Sequence, residues 1–237
     1  MPGELRIVTA GPLEEPVAPC ALLVDKPKGM TSFGVVKKVR WALDIKKVGH
    51  AGTLDPMATG LLILLLGREA TRQQDRFMGL PKVYTGTIRL GQTTASYDAE
   101  TPIEVETDAT DVTDSDLEDA VRDLTGEIMQ RPPIYSAIKK GGERLYKKAR
   151  RGETLEIEPR PTSVYSFDIA ERRGADLDVR IECSKGTYIR SLAHDLGAAL
   201  EVGGHLTVLR REAIGPFEVG EAFDLEALVT AARPRDA

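Results

Sequence analysis

Residues 164–183 read VYSFDIAERRGADLDVRIEC, two alternating stretches, 164–169 and 177–183, joined by the polar turn RRGAD. The period of two puts Leu177, Val179, Ile181 and Cys183 on one face, so the segment predicts two antiparallel strands. Working outward, 187–200 carries Ile189, Leu192, Ala193, Leu196 and Leu200 at helical spacing. A strand is expected over 205–212, and a helix capped by Asp224 over 225–232. Upstream, Thr113 can cap a helix over 114–124 with Leu117, Val121 and Leu124 inward, and VYTGTIRL at 83–90 alternates as a strand. Near the start, ALLVDK at 21–26 suits a buried strand. A helix capped by Thr31 or Ser32 follows, with Phe33, Val36, Val39 or Arg40, and Leu43 at helical spacing and Lys37 and Lys38 outward. The run LLILLL at 61–66 fits either a buried strand or the body of a helix starting near Pro56. Strands in adjacent pairs interrupted by helices predict the α+β class, with a mixed, mainly antiparallel sheet flanked by helices.

The chain has 237 residues, 41% of them hydrophobic, enough for a real core. Its longest apolar run, 61–66, falls far short of the roughly 20 residues that span a bilayer, so no membrane span is expected. The N-terminal stretch mixes acids, prolines and glycines without the basic start and apolar run of a secretory signal, which predicts a cytoplasmic protein. Cys20 and Cys183 form no CxxC pair, and His50, His194 and His205 form no ligand pair, so neither a metal nor a disulfide is expected.

A net charge of -5 argues at first against a nucleic-acid partner. The distribution reverses that argument. Eleven acids and one base between Asp98 and Asp123 hold -10, leaving +5 for the rest. Two basic clusters carry much of it: Lys37, Lys38, Arg40, Lys46 and Lys47, then Lys139, Lys140, Arg144, Lys147, Lys148, Arg150 and Arg151. A lone charge run is most often a solvated face, but two such clusters on an acidic chain are compatible with a phosphate-binding surface. The stretch 130–160, rich in proline, glycine and base, reads as an excursion from the core.

The segment 48–60, VGHAGTLDPMATG, sets one histidine and one aspartate among small residues. Glycines there let a ligand or a second backbone come close. Asp55 precedes Pro56, which suits the first position of a helix, so Asp55 is a candidate N-cap whose carboxylate a helix dipole would keep ionised. Most Asp-Pro pairs are capping or turn devices, and spacing alone does not make this one a nucleophile. In CSKGTYIRSLAHD, 183–195, Tyr188 and Arg190 lie where a strand gives way to a helix, and the arginine has the geometry to pair with a carboxylate from elsewhere. Lys82 and Tyr84 set a base beside an aromatic at a strand start, an arrangement that can stack on a nucleobase.

Taken together, LLVDKPKGMTSFGVVKKVR, VGHAGTLDPMATGLLILLLGREATR, KVYTGTIRLG, MQRPPIYSAIKKGGERLYKKARRGE, CSKGTYIRSLAHDLG and HLTVLRR closely resemble, in order and spacing, the TruB family of tRNA pseudouridine synthases. They cover most of 22–211. The DPMATG form is more similar to the bacterial stand-alone enzymes than to relatives that work with guide RNAs. The resemblance implies the pseudouridine synthase fold, with a catalytic domain over 21–215, a flexible tail over 1–20, a basic RNA-gripping insertion at about 130–160, and a short C-terminal helix and tail over 216–237. The larger members carry a C-terminal PUA domain, and this sequence is expected to lack it.

The resemblance further implies the activity, isomerisation of a T-loop uridine of tRNA (tRNA position 55) to pseudouridine, without cofactor or metal. Its partner is the tRNA T-arm. No guide RNA, protein partner or membrane is implied, and a monomer is expected. Asp55 matches the essential aspartate, attacking at either the base or the sugar carbon, and His50 the histidine that fills the space left by the flipped base. Tyr84 matches the tyrosine that stacks on the target base and assists proton removal, and Arg190 the arginine that pairs with the aspartate. Tyr188 and Leu209 match pocket-lining residues, Lys26 a substrate-binding lysine, and Lys147, Lys148 and Arg151 the RNA grip. Two other function classes compete: a catalytically silent RNA-binding module, and a hydrolase using Asp55, which would need a second, acid-tuned carboxylate nearby.

Overall fold

The computed structural model describes residues 5–13, 17–136, 139–140, 143–144, 151 and 157–232. The chain divides into two compact units, Met1–Tyr84 with Leu209–Ala237, and Thr85–Val208.

The first unit opens with β1 (Arg6–Val8) and β2 (Cys20–Lys26), followed by α1 (Ser32–Ala42), β3 (Val48–Ala51) and β4 (Thr59–Leu66). Two short helices, α2 (Arg68–Thr71) and α3 (Gln74–Met78), lead to β5 (Lys82–Leu90), which crosses into the second unit. β2 and β4 pair antiparallel along their length, from Cys20 opposite Leu66 to Lys26 opposite Gly60. β3 pairs antiparallel with β4, while β1 lies parallel to β2. The choice that periodicity left open for 61–66 is thus settled as a strand. Its side chains alternate between two buried faces, which is why it shows no polar position. Leu62, Leu64 and Leu66 pack under Val35, Val36 and Val39 of α1, while Leu61, Ile63 and Leu65 join Ala70 and Phe77 on the other side. Each such side chain contributes about 1.5–3 kcal/mol of apolar burial. Arg6–Val8, in the stretch read as a flexible tail, is strand, because β2 offers it a free edge and Val8 packs against the Leu22 side of the core.

The second unit continues with β6 (Gln92–Thr94), β7 (Ile103–Glu106), α4 (Asp114–Asp123) and β8 (Gly126–Gln130). Two further short strands, β9 (Lys139–Lys140) and β10 (Glu143–Arg144), pair antiparallel. Then come β11 (Arg160–Arg173), β12 (Asp176–Cys183) and α5 (Ile189–Ala199). The antiparallel pair expected at 164–183 is present, with Phe167 opposite Ile181 and Arg173 opposite Asp176. Register shifts after Val164 and after Ile169 explain why Val164 and Phe167, three apart, are both buried: a bulge resets which side chain faces inward. The sheet of this unit runs β5-β12-β11-β8. α4 carries a full capping box between Thr113 and Asp116, so one of its acids does local work at the helix start.

β13 (Gly204–Ile214) returns from the second unit to the first and is followed by β14 (Phe217–Glu218), β15 (Phe223–Asp224) and α6 (Leu225–Ala232). Within the first unit β13 lies parallel to β4, Arg210 opposite Thr59 and Arg211 opposite Gly60. The α6 start is capped as expected, Ala227 donating its N–H to Asp224 Oδ1 at 2.8 Å. Parallel and antiparallel pairings thus mix, with antiparallel ones dominant, and the expected α+β class holds. No helix among the described residues is long and apolar enough to cross a membrane.

Candidate active site

Asp55 lies in the connection from β3 to β4. No helix begins at Pro56: the chain makes a turn, Ala58 N–H donating to the Asp55 carbonyl at 3.1 Å, and enters β4 at Thr59. The expectation that Asp55 caps a helix therefore fails, and with it the dipole argument for its charge. What the structure supplies instead is a backbone held at three points around it. Ser32 Oγ accepts from Leu54 N–H at 2.8 Å and donates to the Leu54 carbonyl at 3.1 Å. The Pro56 carbonyl accepts from Gly29 N–H at 2.7 Å and from Lys26 Nζ at 3.4 Å. Arg211, 1% exposed, donates from NH2 to the Gly52 carbonyl at 3.2 Å and from Nε to the Leu61 carbonyl at 2.7 Å. Residues 52, 54 and 56 are thus tied down while the Asp55 side chain stays half-buried. Fixing flanking backbone in this way preorganises a reactive group before any ligand arrives.

Lys26 is fully buried, and its ammonium also donates to the Pro27 and Met30 carbonyls, at 2.9 and 2.6 Å. This placement holds the 27–30 turn against Pro56. Gly60, at φ +102, marks the close approach of β13: an added Cβ would sit 2.3 Å from the Arg211 carbonyl oxygen.

His50 stands on β3, half-buried, its carbonyl accepting from Gln74 Nε2 at 2.9 Å. Burial, and then the nearby Arg211 guanidinium, lower its pKa, so the ring is neutral at pH 7. Its buried Nδ1 has no hydrogen-bond partner among the described residues. Tyr84 on β5 and Leu209 on β13 are buried, at 9% and 6% exposure. Lys82, which the sequence sets beside the candidate stacking ring of Tyr84, is also buried, and its ammonium donates to the Met78 and Leu80 carbonyls.

In the second unit, Arg190 is the second residue of α5 and 3% exposed. Its guanidinium donates to the Ser96 carbonyl at 3.0 Å and the Tyr135 carbonyl at 2.9 Å. Asp98 Oδ2 lies 3.4 Å from NH1. Asp98 is fully buried; Oδ1 accepts from Glu100 N–H at 2.9 Å and from Ser96 Oγ, whereas Oδ2 makes no hydrogen bond among the described residues and faces the arginine as an ion pair alone. Sequence reasoning missed this partner, having counted Asp98 only as one charge of the acidic run 98–123.

α5 also holds the root of the basic insertion. Gln130 bonds both backbone groups of Tyr188, at 2.7 and 3.1 Å, and Ser191 Oγ donates to the Arg131 carbonyl at 2.8 Å. Tyr188, the residue before the helix, is half-buried. Arg151 makes a two-pronged pair with Glu143, both contacts 2.8 Å. Lys147 and Lys148 lie outside the described residues. Further along α5, His194 stacks on Tyr97 with centroids 3.9 Å apart, and burial pushes the Asp195 carboxyl up to about 6, opposed by Arg131. Among the described residues no group of three or more His, Cys, Asp or Glu is placed to hold a metal.

Comparison with known proteins agrees with this architecture. Residues 40–189 match the N-terminal domain of the TruB family of pseudouridylate synthases, and 190–236 match the tRNA pseudouridylate synthase B C-terminal domain. A tRNA pseudouridine synthase B of Corynebacterium efficiens is 50% identical over 93% of this chain and 76% of its own length. One of Flavobacterium johnsoniae is 47% identical over 86% of this chain and 92% of its own. Among solved structures, a Cbf5-Nop10-Gar1 complex aligns with TM-score 0.69 and 33% identity over 89% of this chain, which spans about half, 53%, of that one. An H/ACA RNP bound to a substrate RNA containing 2'-deoxyuridine aligns with TM-score 0.66 and 30% identity over 89% of this chain and 52% of that one. The ordered motifs, the clamped Asp55 loop and these matches make the chain a member of the TruB family of pseudouridine synthases.

Proposed function

We propose that this chain isomerises a T-loop uridine of tRNA, at tRNA position 55, to pseudouridine, acting alone in the cytoplasm as a monomer. The observation that carries the reading is the Asp55 loop, fixed at residues 52, 54 and 56 with the carboxylate-bearing residue between them left half-buried. The relatives named tRNA pseudouridine synthase B support the substrate class.

The reaction breaks a carbon–nitrogen bond and makes a carbon–carbon bond, with no redox change and no group lost. One anion in a sheltered site can serve it. The target base must leave its stack, at a cost of a few kcal/mol that stacking and backbone contacts offset. In this reading Asp55 is the nucleophile, Tyr84 stacks on the base and assists proton removal, and Arg190 pairs with the aspartate. His50, uncharged at neutral pH, fills the vacated space, and Tyr188 and Leu209 line the pocket. Lys147, Lys148 and Arg151 grip the RNA backbone.

The test is Asp55→Asn assayed on a T-arm transcript and on full-length tRNA. Pseudouridine formation is expected to vanish while RNA affinity stays within a few-fold of wild type. Near-normal conversion by the variant, or no conversion by wild type, refutes the reading, and free uracil would point to hydrolysis.

A further inference from the structure

We propose that the outward face of α1, built from Phe33, Lys37, Arg40 and Trp41, is a second contact for the substrate RNA, stacking unpaired bases on its two rings and pairing phosphates with its two cations. The inference rests on the proposed RNA-modifying activity and extends it to a surface that this activity does not require.

Phe33 and Trp41 are 61% and 65% exposed, and Trp41 is the chain's single tryptophan. Burying rings of this kind elsewhere would stabilise the fold, so two of them in water on one helix point to a partner. At about 100° per residue, positions 33, 37, 40 and 41 fall within a stripe about 100° wide. The opposite side carries Val35, Val36 and Val39, all buried, which fixes the roll of the helix and keeps the stripe in solvent. Lys37 Nζ already sits 5.1 Å from the Phe33 ring centroid, a cation over an aromatic face. Lys38 is not part of the stripe: its ammonium pairs with Glu226.

Chemistry favours RNA over a protein partner. The stripe interleaves flat rings with cations and has no exposed aliphatic side chain, the composition of a stacking platform for single strands. α1 contains no acid, and the chain as a whole is at -5, so local positive charge here is not a by-product of composition. Position argues the same way. Ser32, next to Phe33, holds Leu54, next to Asp55. The aromatic face therefore begins beside the clamp of the proposed catalytic loop, where nucleotides flanking a bound uridine would run.

The single tryptophan makes the test direct. The full chain is titrated with an unmodified tRNA transcript while Trp41 emission and its quenching by acrylamide are followed; pseudouridine yield is measured in the same samples. RNA is expected to change the emission saturably and to shield Trp41 from acrylamide. Lys37→Gln with Arg40→Gln, which leaves both rings in place, is expected to weaken tRNA binding several-fold and to make the salt slope shallower by about 1.4, at about 0.7 per phosphate contact of a single strand. Unchanged emission and acrylamide access at saturating RNA, as when a protein is the natural occupant, overturns the inference. So does a double variant with wild-type affinity and slope. Wild-type conversion of uridine with a silent Trp41 sinks this inference alone, whereas absent conversion sinks the functional reading.

Discussion

The hydroxyl of Ser32 engages both backbone groups of Leu54, accepting from the N–H at 2.8 Å and donating to the carbonyl at 3.1 Å. One small side chain thereby stands in for a strand partner immediately before Asp55. Ser32→Ala leaves a buried donor and a buried acceptor without it, a loss of about 1–3 kcal/mol of stability by urea unfolding. Because misplacement of a reacting group by about 1 Å can cost on the order of 100-fold in rate, kcat should fall at least 10-fold with KM little changed. A destabilised variant with full kcat would show that the clamp serves folding alone.

A second prediction concerns Asp98 and Arg190, 3.4 Å apart and both almost without solvent contact. Breaking a buried ion pair by removing one member typically costs about 3–5 kcal/mol where nothing else compensates the remaining charge. Asp98→Ala should therefore lower the thermal midpoint sharply. Asp98→Asn retains volume and an acceptor for Ser96 and Glu100, and should cost less. An Asp98→Asn midpoint equal to that of wild type would remove the charge pairing from the explanation, because that variant lacks the charge and keeps the acceptor.

What was legible in the sequence was whatever local patterning decides. The hairpin at 164–183 and the Thr113 cap of α4 need only neighbours along the chain, and both are present. Asp98 was not legible, since ten other acids follow it by Asp123 and nothing local marks it. Its burial comes from partners far along the chain, with Arg190 NH1 3.4 Å from Oδ2 and Leu206 paired to it by a parallel β-bridge. Nor does the Lys-Pro-Lys-Gly turn show what surrounds Lys26: only closure of residues 27, 30 and 56 around it supplies the carbonyls that its ammonium meets. The strand at 61–66 was ambiguous because both of its faces are core, which erases the alternation that distinguishes strand from helix.

Gly60 offers a third test, with an internal control. Its Cβ would meet the Arg211 carbonyl oxygen at 2.3 Å and nitrogen at 2.6 Å, at φ +102. Gly126 has nearly the same φ, +99, with nothing within 4 Å of an added Cβ. Gly126→Ala should therefore cost only backbone strain, about 1–2 kcal/mol. Gly60→Ala adds crowding that neither strand can relieve without moving, for a total on the order of 3 kcal/mol or more. Chemical denaturation of the two variants separates strain from crowding; similar losses would mean that β13 gives way more easily than its contacts indicate.

Asp195 supplies a pH prediction whose sign follows from its environment. Burial raises its carboxyl from 3.8 to about 6, and Arg131 only partly opposes this. Around it, burial lowers the His194 pKa, and the Tyr97 hydroxyl is pushed up by burial and by Asp195 itself. Between those two values the folded chain binds the proton that the unfolded chain has released, so this group's contribution to stability falls as pH rises through that window and stays low above it. Asp195→Asn removes the buried charge. Its thermal midpoint should exceed that of wild type at pH 7.5, and the difference should shrink steadily as pH is lowered from about 6 toward 4, where the wild-type carboxyl is protonated in the folded state. A difference that stays constant over the same pH range would show that the ionised carboxylate is compensated by Arg131 and carries no burial penalty.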